Sequence, residues 1–330
     1  MEVQLKDIRI DTQGGEHAEG RVLFELDNTP SVVSLEVNGS FDPWTALEAA
    51  VPAWADDKAA TFAPDSQVDF SGTIPIERPG DLSLAGSLAT DSLVFGKLPL
   101  DAVDTDWGWR DGCLELETLS AGLAGGRLSG SGQYCFSADE GRGKLSAEGA
   151  SLHDLLANFS DTEKLRDQGK VAVRDCEVRL HRHGKDEALM LKGEGRLEVS
   201  ESQLWSIPVF GSLATALNLA PLRQVIGLGD ITAFGTDLVF DGETVQLREF
   251  ETNGTVISLE GIKPGSYNWK TGELNLVVRG KVLRRTLIVP FLTKPISWLF
   301  EAELKGTQTQ PEWRLLSAVK KGLFGGEEPE

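Results

Sequence analysis

The sequence predicts a mainly β protein: an elongated, curved antiparallel sheet of repeated units forming an apolar groove, with a few short helices. Three observations predict it. Short runs alternate apolar and polar residues from the start, as in Glu2-Val3-Gln4-Leu5. Turn signals such as Asp111-Gly112 and Asp241-Gly242 separate these runs. The same order of strands and turns then recurs along the 330 residues. Composition agrees, because 36 Gly among many Val and Leu lean towards strands and tight turns.

The repeat is read most clearly in two segments. Thr105-Asp106-Trp107-Gly108-Trp109 faces Thr236-Asp237-Leu238-Val239-Phe240. The Asp111-Gly112 and Asp241-Gly242 turns follow, each opening an alternating strand. Arg127-Leu128-Ser129-Gly130 then faces Ile257-Ser258-Leu259-Glu260-Gly261. A partial third copy opens the chain, since Val3-Gln4-Leu5 resembles Val245-Gln246-Leu247. The copies close on Gly39, Gly149 and Gly280, spaced 110 and 131 residues apart. The excess corresponds to an insertion from Phe210 to Asp230.

After the first two closing glycines the pattern turns helical. Asp42 and Pro43 provide an N-cap and first helical residue for a helix near Trp44–Ala50. Leu152–Phe159 is the matching helix. Polar linkers, 56–65 and 160–168, lead to strands that resume at Gln67 and Lys170. A third helix is expected over Phe210–Leu219, where Phe210, Leu213 and Leu217 recur at helical spacing. It reads either as a plug at one end of the core or as an apolar gate. The tail from Pro311 reads as a weak amphipathic helix with Arg314, Lys320 and Lys321 on its basic face, either capping the sheet or touching a membrane. The organisation is thus a β-groove repeat region over 1–148 and a second region over 149–330. Roughly eighteen candidate strands at about 4.8 Å each make a sheet ~85 Å long if continuous.

Charge narrows the function. A formal net charge of −19 opposes nucleic-acid binding, which needs clustered Lys and Arg. Between Lys281 and Phe324, however, eight basic residues stand against three acidic ones. That end is either ordinary solvated surface or a place that meets an acidic partner or lipid headgroups. Cys113, Cys135 and Cys176 do not make a disulfide framework. One bridge, Cys113–Cys135, stays open if the compartment oxidises. No apolar run reaches 18 residues and no signal-peptide pattern is present. Met1 enters in the middle of a repeat half, so the natural chain is expected to extend N-terminally to a membrane anchor.

Catalytic patterns are missing from the sequence. There is no Gly-x-Ser-x-Gly elbow, no His-Glu-x-x-His and no phosphate-binding Gly-x-x-x-x-Gly-Lys-Ser/Thr. His181 and His183 share a strand face, yet Arg179, Arg182 and Lys185 beside them oppose a cation. The chain is therefore expected to be no enzyme, with no cofactor and no metal. The candidate functional residues are apolar: Leu197, Val199, Leu238, Phe240, Leu274 and Leu276. They alternate with polar residues such as Glu198, Ser200, Glu273 and Asn275, which puts each strand's set on one face. That face either lines a lipid conduit or forms a closed core.

The segment Gly193-Glu194-Gly195-Arg196-Leu197-Glu198-Val199, continuing through Leu204-Trp205-Ser206-Ile207-Pro208-Val209-Phe210-Gly211-Ser212-Leu213, resembles the C-terminal region of the AsmA-like family. So does the closing Gly306-Thr307-Gln308-Thr309-Gln310-Pro311-Glu312-Trp313-Arg314. The likeness covers about residues 149–314. It implies a relative of TamB-like proteins: a periplasmic β-groove in the Gram-negative cell envelope. It further implies a tether to the inner membrane by an N-terminal segment, which this chain lacks. Phospholipid or another acyl lipid is the implied partner, with a membrane at one or both ends and envelope proteins as further partners. The expected function is phospholipid transport between inner and outer membranes. A rival is a structural or assembly factor for outer-membrane proteins or envelope integrity. A third is a polysaccharide-binding β protein, for which Trp107 and Trp109 are the candidate platform.

Overall fold

The computed structural model describes residues 2–11, 16–26, 30–43, 60–158, 169–182, 190–203, 207–216, 231–254, 257–282, 300–307 and 310–318. These residues form nineteen strands with very little helix, and every strand register is antiparallel. The mainly β, antiparallel class expected from alternation and turn spacing is what the chain adopts. It divides into two compact units, Met1–Ala150 with Arg179–Ala188, and Ser151–Val178 with Leu189–Glu330.

The first unit is a meander. Its strands are β1 (Glu2–Asp11), β2 (His17–Glu25), β3 (Val32–Ser40), β4 (Ala60–Phe62), β5 (Gln67–Pro75), β6 (Ser83–Phe95), β7 (Leu98–Arg110), β8 (Cys113–Leu123), β9 (Gly126–Cys135) and β10 (Glu140–Ser151). Each pairs with the next, except that β3 pairs with β5 and the short β4 with β6. The β7–β8 link is the two-residue turn Asp111-Gly112, with φ of 54° and 71°. Positive φ at both positions gives the twist that closes a tight hairpin.

The second unit holds most of β11 (Lys170–His181), then β12 (Met190–Ser200), β13 (Ile231–Asp241), β14 (Thr244–Gly254), β15 (Ile257–Gly261), β16 (Gly265–Asn268), β17 (Leu274–Val282), β18 (Phe300–Gly306) and β19 (Pro311–Ala318). β14 pairs with both β15 and β16, which together face β17. Two helices belong here, α1 (Leu152–Ala157) and α2 (Pro208–Ala216). Ser151 caps α1 by accepting the backbone N–H of Asp154 at 3.2 Å.

The two fuller repeats share a buried device. Thr105 and Thr236, matched in sequence, stand beside bulges in the β7–β8 and β13–β14 pairings. Each hydroxyl donates to a partner-strand carbonyl, Thr118 O at 2.6 Å and Arg248 O at 2.8 Å. A bulge leaves a backbone group without its ladder partner, and the threonine supplies one.

Several expectations change. Strands resume at Gln67 and Lys170 as read, but the polar stretch before Gln67 contains the strand β4. Leu152–Phe159 appears as α1 and Phe210–Leu219 as α2, while residues 159 and 217–219 lie outside the described ones. The helix expected at Trp44–Ala50 also lies outside them. The tail is a correction. Residues 311–318 form β19 against β18 and are not helical. Trp313 and Leu315 are two apart, and pairing with β18 outweighs a weak helical spacing. Residues 319–330 lie outside the described residues.

Candidate functional site

Residues directly opposite in an antiparallel pair point to the same side of the sheet. In the second unit the registers therefore trace one face from strand to strand. Leu238 lies opposite Gly195 and Leu247, and Phe240 opposite Gly193 and Val245. Val245 lies opposite Tyr267, and Tyr267 opposite Leu274. Leu276 lies opposite Leu304, which faces Trp313. Leu197 and Val199 share this side through Thr236 and Phe234. All six sequence-predicted residues thus sit on a single apolar face.

Their burial differs along the strands. Val199 and Leu276 are buried, with Ile231, Leu259, Val278 and Phe300 around that end of the face. Leu197, Leu238, Phe240 and Leu274 are half-buried. The difference follows α2, which lies over one end. Phe210 of α2 meets Phe234 and Phe250 at ring distances of 6.1 and 6.3 Å, and those two are 6.0 Å apart. Leu213 is fully buried, and the Trp313 indole N–H donates to Val209 O at 2.7 Å. Pro208 opens α2, a position where its missing N–H leaves no bond unmade. Gly280 is required beneath Phe300, because a Cβ there would come within 2.4 Å of the ring.

The aromatic cluster was only half visible in the sequence. Helical spacing singled out Phe210, whereas Phe234, Phe250 and Phe300 were not anticipated. Strand parity explains Phe250. The β13–β14 pairing shifts between Gly235 and Asp237, so the apolar set changes from Val245 and Leu247 to Phe250 and Thr252. A single bulge moves the following side chains to the other parity.

The opposite face of the second unit is polar and paired. Arg196 reaches Asp237 at 2.7 Å, Glu198 at 3.1 Å and Glu251 at 3.5 Å. Hydrogen bonds to Asp237 and then Glu198 raise its pKa above the ordinary guanidinium value. Arg279 meets Glu301 at 2.8 Å and Glu260 at 3.7 Å, and Lys281 also pairs with Glu260. A shallow depression of about 740 Å³ lies here, lined by Asp175, Arg196, Asp237, Arg248 and Lys263 among others. Four acids, Asp175, Glu194, Asp237 and Glu249, stand there beside three bases, Arg196, Arg248 and Lys263, and an exposed pair such as Arg196–Asp237 contributes only about 0–1 kcal/mol.

The first unit carries its own apolar face. Val37 lies opposite Gly20 and Phe70, Phe70 opposite Gly86, and Gly86 opposite Trp107. Leu84 lies opposite Trp109, which faces Leu114 and then Tyr134. These large side chains are half-buried. Trp107 lies 6.0 Å from Phe70, and Trp109 stacks on Phe136 at 5.0 Å. The two tryptophans are therefore part of the apolar row and make no separate exposed platform. On the polar side Cys113 stands opposite Cys135, and a disulfide joins them. Cys176, in the second unit, is a free buried thiol whose pKa burial pushes up.

Among the described residues, no group of His, Cys, Asp and Glu is arranged to hold a metal, and no helix is long and apolar enough to cross a membrane. His181 contacts Glu140 at 3.0 Å, and His183 lies outside the described residues. No known protein family, no curated protein and no solved structure matches this chain.

Proposed function

We propose that this protein is a non-enzymatic module that holds acyl lipids against its apolar sheet faces and contributes to phospholipid movement between the inner and outer membranes. The observation that carries the reading is the one-sided face of the second unit. It continues across eight strands, from β12 to β19, and stays half-exposed beyond the reach of α2. A half-exposed apolar face of this extent calls for an apolar occupant. The likeness to AsmA-like proteins supports the same reading and, with it, a periplasmic location. The Cys113–Cys135 disulfide supports an oxidising compartment of that kind.

The test is to purify the full chain from a Gram-negative host and extract it for lipid mass spectrometry. Phospholipid recovered in near-stoichiometric amount is the expected result. A protein that emerges lipid-free, and that a photoactivatable phospholipid leaves unlabelled, sinks the proposal.

A second reading, an assembly factor pairing with a client β-protein, has its own support. Among the described strands β1 pairs only with β2, and its Val3 and Leu5 are exposed. Unpaired edges of this kind accept incoming strands.

A further inference from the structure

We infer that the apolar face of the second unit is a blind-ended acyl site, with α2 as its stop and Phe210 and Leu213 as the residues that set the length of chain accepted. The inference rests on the lipid-binding reading above and adds a direction and a limit to it.

The direction comes from the two ends of the face. At the α2 end, Phe210, Phe234 and Phe250 fill the space, and Val199, Leu213, Ile231 and Phe300 are buried beneath and beside them. The helix is fastened there by the Trp313 N–H on Val209 O. At the other end the strands close in tight turns, and that rim is polar. Lys270 pairs with Glu243 at 2.7 Å, and Trp269 and Met190 are exposed beside them. Trp and Lys at such a border put an apolar body against the lipid and a polar tip in water.

Polar chemistry on the face agrees. Its two buried hydroxyls are already engaged, Thr236 on Arg248 O and Thr252 with the Leu259 N–H at 2.8 Å. Tyr267 belongs to the row nearest the rim. Among the described residues, a headgroup driven towards α2 would meet Phe210, Phe234 and Phe250 in place of water, and burying it unpaired is costly. The methyl end of the chain therefore goes inward and the head stays at the rim.

The limit comes from geometry. From Gly193, opposite Phe240, to Leu197 the half-exposed stretch runs four residues, about 13 Å along the strands. A chain lying along them then meets the filled row of Val199, Phe234 and Phe250. In a filled apolar pocket one surplus methylene costs about tenfold or more in affinity.

Two measurements on the full chain test this. The first titrates a ladder of fatty acids, from octanoate to stearate, into delipidated protein. Affinity is expected to rise with length and then fall by about tenfold per added methylene. Phe210→Ala or Leu213→Ala should move that break to longer chains. Because either truncation risks the fold, the second measurement uses the unaltered protein. Fatty acids carrying a diazirine at the methyl end or beside the carboxylate are photolysed, and the labelled peptides are mapped. Methyl-end labelling of α2 and of residues 231–236 and 250–254, with carboxyl-end labelling of 241–245 and 266–273, is expected. A monotonic rise to stearate, or the same peptides labelled by both probes, overturns the stop while leaving lipid binding intact. No labelling of the face by either probe overturns the lipid reading itself.

Discussion

Valine has the shape of threonine without the hydroxyl, and at Thr236 that hydroxyl ties β13 to β14. It donates to Arg248 O beside a bulge, and the residue is almost fully buried. Thr236→Val removes this part-buried hydrogen bond, which costs about 1 kcal/mol. Thr105→Val removes the equivalent bond to Thr118 O and is expected to cost a similar amount. Denaturant melts of both variants measure it, and unequal effects, one large and one absent, would separate the two sites as unrelated. Burial makes a second residue-scale prediction. Val199→Asp and Leu276→Asp put an unpaired carboxylate where water does not reach, so both variants should fail to fold. Leu238→Asp and Phe240→Asp lie on the half-exposed part of the same face. They should fold, melt a few degrees lower and lose photo-crosslinking to a labelled phospholipid. If all four unfold alike, the face is a closed core.

At the scale of an element, the β9–β10 hairpin carries a strongly perturbed side chain. Burial first, then the hydrogen bond to Asp139, pushes the Tyr134 hydroxyl up to about 12. Its neutral form is the one the fold favours. The stabilisation is complete below the ordinary tyrosine pKa and is lost as pH rises from about 10 towards 12. Unfolding midpoints of the protein and of Tyr134→Phe should therefore converge over that window, and a constant gap would show that Tyr134 does not titrate late. Elements also show what the sequence makes legible. Gln67 and Lys170 are found as strand starts because period-two alternation begins there. α1 is legible from its place after a closing glycine, and Ser151 caps it. β4 is three residues long, too short to show a period, and β19 is decided by pairing with β18, in which Leu304 lies opposite Trp313 and Ala302 opposite Leu315, contacts that local spacing does not report. The six apolar site residues were legible because parity holds through their strands. The Phe210–Phe234–Phe250 cluster was not, because it needs a helix and two strands brought together across a bulge.

At the scale of the whole molecule the dominant fact is a formal charge of −19 on 330 residues. Two electrostatic effects oppose each other in salt. Like charges repel across the molecule, and adding salt removes that repulsion, which stabilises the folded chain. The same salt screens the ion pairs of Arg196, Arg279 and Lys270, which weakens them. Distance decides which effect wins. The Debye length falls from about 30 Å at 0.01 M to about 8 Å at 0.15 M. The pairs, at 2.7–2.8 Å, lie well inside either length and keep most of their small contribution. Repulsion between acidic groups 10–30 Å apart is, by contrast, largely removed over that range. The melting temperature is expected to rise between those two salt concentrations, and a fall would mean that the ion pairs outweigh the net charge. The same field acts on any anionic bilayer that the rim approaches. Sedimentation with vesicles of phosphatidylcholine and phosphatidylglycerol should accordingly show weaker binding to the anionic lipid at low salt and a partial recovery at higher salt. A basic protein would give the reverse slope. Binding to anionic vesicles that is strongest at low salt would instead locate a local basic contact surface strong enough to override the charge of the whole chain.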